Sequence, residues 1–114
     1  MVEINGYDIA VTRGDSLYLR INLEGCDLPD GAQAVLTIKQ HIRSEEALIQ
    51  TRMDASGEVL GIALSPQQTN LPPGSYVWDV RILVPHEEGV EVYTPMNYAA
   101  FVVLDAVGTD IGLE

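Results

Sequence analysis

The fold of this chain is decided by residues 74–84, which read GSYVWDVRILV. Large apolar side chains occupy every second position of this stretch: Tyr76, Trp78, Val80 and Ile82. Asp79 and Arg81 fall between them, so one face is apolar and the other carries charge. A period of two residues is typical of a β-strand that buries one face. Because Trp78 is the only tryptophan of the chain, we predict that this strand lies at the centre of the core.

A turn precedes this strand at residues 71–74, which read LPPG, because neither a helix nor a strand continues through two prolines and a glycine. Tyr76 stands two residues after that glycine and resembles the tyrosine corner of immunoglobulin-like folds. In that corner the tyrosine hydroxyl forms a hydrogen bond with a backbone group a few residues earlier in the chain. The alternatives are a Tyr76 ring exposed for binding and a Trp78 ring that serves as a ligand platform. We expect both rings in the core.

Further strand patterns occur on both sides of this stretch, separated by short turns rich in Gly, Pro, Asp and Ser. They cover residues 7–12, 17–24, 34–40, 47–53, 58–64, 90–94 and 99–104. The clearest alternation is in residues 17–24, where Leu19 and Ile21 are expected in the core. No segment has helical periodicity beyond one turn at residues 65–69. Seven to nine short strands predict an all-β fold, an antiparallel β-sandwich or barrel.

The composition limits the classes of function. The chain has 114 residues, which indicates one domain: we assign residues 1–107 to the sandwich and residues 108–114 to an acidic C-terminal tail. Its net charge is −11, with only 6 Lys and Arg, so nucleic acid is not an expected partner. Cys26 is the only cysteine, which excludes an intrachain disulfide.

The sequence has no recognisable export or membrane signal. No basic region followed by an apolar stretch opens the chain, so we expect no signal peptide. The longest nearly unbroken apolar stretch, residues 98–104, is too short to span a bilayer. We therefore expect synthesis in the cytoplasm and no membrane partner.

Several segments resemble a known family. Residues 62–69 and 71–80 look like the second half of an immunoglobulin-like domain of phage and prophage tail and baseplate proteins, in particular the N-terminal domain of baseplate upper proteins. Residues 11–16 resemble the opening strand of that family, which runs into Arg-Gly-Asp-Ser/Thr. Residues 101–105 resemble its ending of Phe-x-Val and an acidic residue. The resemblance implies an immunoglobulin-like antiparallel β-sandwich that serves as a structural or adaptor protein of a virion and has no catalytic residues. We expect the protein to be made in the bacterial cytoplasm, and we predict no cofactor and no metal.

Contact positions follow from this hypothesis. Other virion or tail proteins are the expected partners, and a homo-oligomer is expected because particle components repeat by symmetry. Four apolar residues fall at alternate strand positions that are expected to face away from the core, and these are possible interface positions: Tyr18, Val35, Val77 and Leu83. The alternative function is a carbohydrate- or ligand-binding sandwich. It requires two or more coplanar exposed rings, for which Tyr18, Tyr93 and Tyr98 are the candidates.

Other motifs have a simpler explanation in the fold. Arg13-Gly14-Asp15 matches the tripeptide read by adhesion receptors, but Gly for the bend and Asp for a backbone cap explain it as a turn. A thiol–imidazole enzyme would need Cys26 to meet His41 or His86, and no orienting motif accompanies them. We predict no enzyme of this kind.

Carboxylates cluster in two places, at Asp27 and Asp30 and again at Glu87, Glu88 and Glu91. Neither cluster has the Asp-x-Asp-x-Asp-Gly spacing of a tight calcium loop. We predict solvated acidic loops instead of metal sites. A pair of carboxylates for glycoside hydrolysis need only meet in space, but a chain of this size has little room for the required cleft.

Overall fold

The computed structural model describes residues 2–5, 8–22, 28–55, 57–94 and 98–106. These residues form nine β-strands and no helix. The strands are β1 (Val2–Asn5), β2 (Asp8–Thr12), β3 (Leu17–Asn22), β4 (Gln33–Lys39), β5 (Ile49–Asp54), β6 (Val59–Leu64), β7 (Gly74–His86), β8 (Gly89–Tyr93) and β9 (Ala99–Leu104). Tyr7, Cys26, Asp27 and the tail at residues 108–114, which the sequence singled out, lie outside the described residues.

The strands form two sheets that enclose one core. Seven strands make the larger sheet in the order β1-β2-β9-β7-β4-β5, and β8 pairs with the second half of β7. β3 and β6 make the smaller sheet. This order is that of immunoglobulin-type sandwiches, with β3 and β6 in positions B and E and with β4, β7 and β9 in positions C, F and G. The prediction of an all-β sandwich of short strands is confirmed.

One strand pair departs from the antiparallel prediction. β2 and β9 run parallel, with Ile9 opposite Phe101 and Val11 opposite Val103. The turn after β2 carries the chain into the smaller sheet, so β2 and β3 belong to different sheets and cannot form a hairpin. β2 pairs instead with the last strand, which runs in the same direction.

The core is formed by the inner faces of the two sheets. Leu19 and the inward set of β7, Tyr76, Trp78, Val80 and Ile82, are each less than 5% exposed. Ile21, near the end of the smaller sheet, is half-buried and packs against this core. The alternation read in residues 74–84 therefore matches the burial of β7 one residue at a time.

The corner before β7 has the predicted tyrosine contact. The hydroxyl of Tyr76 donates a hydrogen bond to the carbonyl oxygen of Pro72, and its ring is buried. The expected single turn at residues 65–69 is closed by Ser65 and Gln68, whose side chains reciprocally bond each other's backbone N–H at 2.9 and 3.2 Å. Tyr76 thus fixes the path by which the chain changes sheets.

The Arg-Gly-Asp tripeptide is built into the same end of the molecule. Gly14 has a φ of 83° and is buried, and its N–H lies 3.4 Å from the carbonyl oxygen of Thr69. The Arg13 side chain donates to Asn70 at 2.8 Å, and the buried hydroxyl of Thr69 donates to the Asp15 carbonyl at 2.7 Å. These contacts give the tripeptide a structural role as a turn.

The loop predicted at residues 85–89 is wrong, because β7 continues through Pro85 and His86 and turns at residues 87–88 into β8. The pairing of β4 with β7 ends at Leu83. Beyond that point β7 has a neighbour on one side only, and a proline is tolerated where no partner needs its N–H. The result is a β7–β8 hairpin that extends past the rest of the sheet.

Candidate functional site

The candidate site is the outer face of the seven-stranded sheet. On β7 the residues of odd number, from Ser75 to Pro85, face away from the core, because those of even number between Tyr76 and Val84 are buried. Strand register extends this face to the neighbouring strands. Thr37 of β4 lies opposite Asp79, and Val92 of β8 lies opposite Leu83.

An apolar strip covers the outer side of the β7–β8 hairpin. We call it the hairpin strip; its members are Leu83, Pro85, Val90 and Val92. Leu83 pairs with Val92 and Pro85 with Val90, so the four side chains form two adjacent rows on one face. Val90 is 62% exposed and Val92 is 50% exposed. A depression of about 120 Å³ lies beside the strip, between Gly31 and Arg52.

A second feature of this face is a larger depression of about 360 Å³, which we call the outer groove. β4 and β7 form its floor, Ile42 comes from the loop after β4, and Thr94 and Tyr98 come from the segment between β8 and β9. The Ile42 side chain is 50% exposed and that of Tyr98 is 55% exposed. The outward side chains of the groove are Thr37, Lys39, Ile42, Val77, Asp79, Arg81, Thr94 and Tyr98.

Within the part of the chain that the structure describes, the charged side chains of the outer groove have no pairing partner. Lys39, Asp79 and Arg81 all line it, yet none of their side chains makes a hydrogen bond or ion pair with another described residue. By contrast, Arg52 on the same face donates to Gln33 at 3.0 Å. Two of the chain's 6 cations therefore stand in one groove of a protein whose net charge is −11.

Three of the four predicted interface residues share the outer face. Val35, Val77 and Leu83 lie on β4 and β7 with outward parity, and all three are half-buried. Tyr18 is 65% exposed but lies on the outer side of the smaller sheet, where its hydroxyl approaches Gly61. The four residues therefore belong to opposite sides of the sandwich and do not form one surface.

The rings proposed for a sugar platform are also separated. Tyr18 lies on the smaller sheet and Tyr98 in the outer groove, so these two rings cannot be coplanar members of one site. The side chain of Tyr93 lies outside what the structure describes. The outer groove accordingly contains a single described tyrosine.

The candidate catalytic and metal-binding groups are dispersed. His41 follows β4 and His86 ends β7, and the antiparallel register places them at opposite ends of the sheet. The His86 Nε2 lies 3.0 Å from an oxygen of Glu91, and both side chains are largely exposed. Across the described part of the chain, no three His, Cys, Asp or Glu side chains are grouped so that they could hold a metal ion.

The sequence did not single out Pro85, Val90 and Val92, which join Leu83 in the hairpin strip. The alternation of Val90 and Val92 was visible within the strand expected at residues 90–94. Because proline usually interrupts a strand, the sequence predicts a loop that begins at Pro85, and this prediction gives the two valines no partner strand. Ile42 had no periodic signal, since the loop after β4 brings it to the outer groove.

The chain was compared with known proteins. No family model, curated protein or solved structure matches it. In the described residues, no helix has the length and apolar character needed to cross a membrane.

Proposed function

We propose that this protein is a non-enzymatic structural or adaptor component of a phage or prophage tail or baseplate particle, and that it acts through protein–protein contacts. The family resemblance of residues 62–80 supports the particle role. The β-sandwich fold agrees with that resemblance. In this proposal the protein is made in the bacterial cytoplasm and resides in the virion, where other tail proteins are its partners.

The hairpin strip is the observation that carries the contact role. Leu83, Pro85, Val90 and Val92 present apolar side chains on a hairpin that extends past its neighbouring strands. Contiguous exposed apolar surface on a soluble protein marks an interaction site more often than scattered apolar residues do. The chain has a net charge of −11, so most of its surface is unfavourable to bury. A partner that covers the strip removes apolar surface from water, and the acidic groups on other parts of the surface stay exposed.

Self-association is the second part of the proposal, and β6 supports it. Every other strand at an edge of a sheet carries at least one charged residue: Glu3 in β1, Arg20 in β3, Arg52 and Asp54 in β5, and Glu91 in β8. β6 reads VLGIAL, has no charge or proline, and pairs with β3 alone among the described strands. Natural proteins discourage pairing at open edges with such residues. We propose that a strand of a second copy pairs with β6.

The particle role is tested by isolating particles from the bacterium that encodes the chain. Intact particles are purified on a density gradient, and quantitative mass spectrometry gives the number of copies of this chain relative to the main tail protein. We expect a fixed copy number per particle that does not fall with further purification. Absence of the chain from purified intact particles contradicts the particle role.

The hairpin strip is tested by Val92→Lys, which places a charge in its centre. We expect loss of incorporation into particles with no change in thermal unfolding, because the Val92 side chain is already 50% exposed. Leu104→Lys is the matched control: Leu104 is 47% exposed on β9, away from the strip, and this variant is expected to be incorporated normally. Normal incorporation of Val92→Lys contradicts the contact role of the strip.

The β6 contact is tested by Ala63→Lys. Sedimentation velocity across the micromolar range is expected to show that the native chain associates and that the variant remains a monomer. Because a lysine lowers the net negative charge, general repulsion between copies decreases, and a loss of association must come from the edge itself. A native chain that is monomeric throughout that range refutes self-association.

A further inference from the structure

The outer groove has charged side chains that make no hydrogen bond or ion pair with other described residues. Lys39 lies opposite Val77, and Thr37 lies opposite Asp79, so these four residues form two adjacent rows on the floor. Lys39 and Asp79 are half-buried, yet neither side chain forms a hydrogen bond or ion pair with another described residue. Partly desolvated charges without partners lower stability, and they become favourable when a ligand supplies the missing contacts.

The groove also offers apolar surface. Tyr98 presents a ring that is 55% exposed, and Ile42 presents an aliphatic side chain that is 50% exposed. Val77 lines the same groove. A tyrosine with an open face accommodates the apolar side of a small ring, while its hydroxyl remains available to water or ligand.

The volume of the groove limits the size of the ligand that it can bind. Its volume of about 360 Å³ is at the lower end of the range typical of small-molecule sites, about 300–1,000 Å³. A small molecule with one or two rings fills such a volume, whereas a protein surface would have to place a single protruding residue there.

We propose that the outer groove binds a carboxylated sugar. Arg81 pairs with the carboxylate, since a guanidinium matches its two oxygens. Lys39 lies two rows farther along the floor, beyond the row of Asp79, and contributes a second positive charge through its long side chain. Asp79 accepts hydrogen bonds from sugar hydroxyls, and the Tyr98 ring packs against the apolar face of the sugar. A simple anion would be repelled by the Asp79 carboxylate and would offer it no hydroxyl. A neutral sugar would supply no negative charge to Arg81 and Lys39.

This proposal goes beyond the adaptor function and does not depend on it. The outer groove and the hairpin strip share no residue. Failure of sugar binding therefore leaves the particle assay unaffected, and failure of the particle assay leaves the sugar titration unaffected.

The experiment is a titration of the full ¹⁵N-labelled chain followed by amide chemical shifts. Sodium glucuronate is the probe. Glucose tests the ring without the carboxylate, sodium acetate tests the carboxylate without the ring, and alanine tests a zwitterion. We expect saturable shifts with glucuronate, confined to amides of the groove, and affinities at least about tenfold weaker for the other three compounds.

Variants assign the roles. Arg81→Gln and Tyr98→Ala are each expected to weaken glucuronate binding by about tenfold or more. Arg52→Gln is the control, because Arg52 shares the outer face but donates to Gln33 outside the groove. Asp79→Asn separates a sugar site from an anion site: we expect it to weaken glucuronate binding and to strengthen acetate binding, since a negative charge is removed.

Three results overturn the proposal. The first is the absence of saturable shifts with glucuronate. The second is equal binding of acetate or alanine and glucuronate, which would indicate a general anion or amino-acid site. The third is an Asp79→Asn variant that strengthens binding of both anions, which would assign no hydroxyl contact to Asp79. Native-like spectra of the variants without ligand establish that each is folded.

Discussion

Trp78 is the residue at which the fold is most sensitive to substitution, because a large side chain with 2% exposure lies on a central strand. Trp78→Ala removes that side chain and leaves a cavity that the surrounding strands cannot fill. We expect a loss of about 3–5 kcal/mol in the free energy of unfolding, measured by chemical denaturation. Val77→Ala is the control on the outer face and should cost much less. A loss below about 1 kcal/mol for Trp78→Ala would contradict its place in the core.

Tyr76 acts at the same scale through one hydroxyl. Tyr76→Phe keeps the buried ring and removes the hydrogen bond to the Pro72 carbonyl. We expect the unfolding free energy to fall by about 0.5–1.5 kcal/mol. Tyr18→Phe is the matched control, because that ring is 65% exposed, and it should have almost no effect. Equal losses of stability for Tyr76→Phe and Tyr18→Phe would contradict a stabilising hydrogen bond from the Tyr76 hydroxyl.

The β7–β8 hairpin is the element on which the proposed contact depends, and its turn depends on Gly89. Gly89 has a φ of 143°, and a Cβ added there would meet nothing within 4 Å, so the cost of Gly89→Ala comes from backbone strain alone. We expect a loss of about 1 kcal/mol or more, with faster amide hydrogen exchange confined to the hairpin.

Gly61→Ala, in the middle of strand β6, is the control for Gly89→Ala. An added Cβ at Gly61 would lie 3.2 Å from the hydroxyl of Tyr18, whose exposed ring can shift. We expect little change in stability for this variant. If Gly89→Ala is as stable as Gly61→Ala and leaves exchange in β8 unchanged, the hairpin does not require glycine at its turn.

At the scale of the whole molecule, local alternation predicted the sandwich, whereas pairing between distant strands could not be predicted. The face of β7 that carries Trp78 followed from the sequence, since its burial repeats with period two. The parallel pairing of β2 and β9 depends on which sheet the chain enters after Thr12, and no local pattern encodes that choice. The continuation of β7 through Pro85 depends on β4 ending its pairing at Leu83, which is likewise set by a distant strand.

The same distinction explains what was found of the candidate sites. The outward orientation of Val35, Val77 and Leu83 was predicted from the sequence, because an outward position on a predicted strand is a local property. The outer groove was not, since Ile42 and Tyr98 reach β7 from different loops. The grouping of its charged side chains is visible only once the register places Lys39 and Asp79 in adjacent rows.

The central claim, that the hairpin strip is where this protein holds its partner, is tested most directly by photo-cross-linking in assembled particles. A photoreactive amino acid replaces Val92 in one variant and the exposed Glu45 in a control. We predict that the reagent at position 92 forms a cross-link to another particle protein, identified by mass spectrometry, and that the reagent at position 45 forms none. Incorporated particles in which position 92 forms no cross-link to any other chain would contradict the claim.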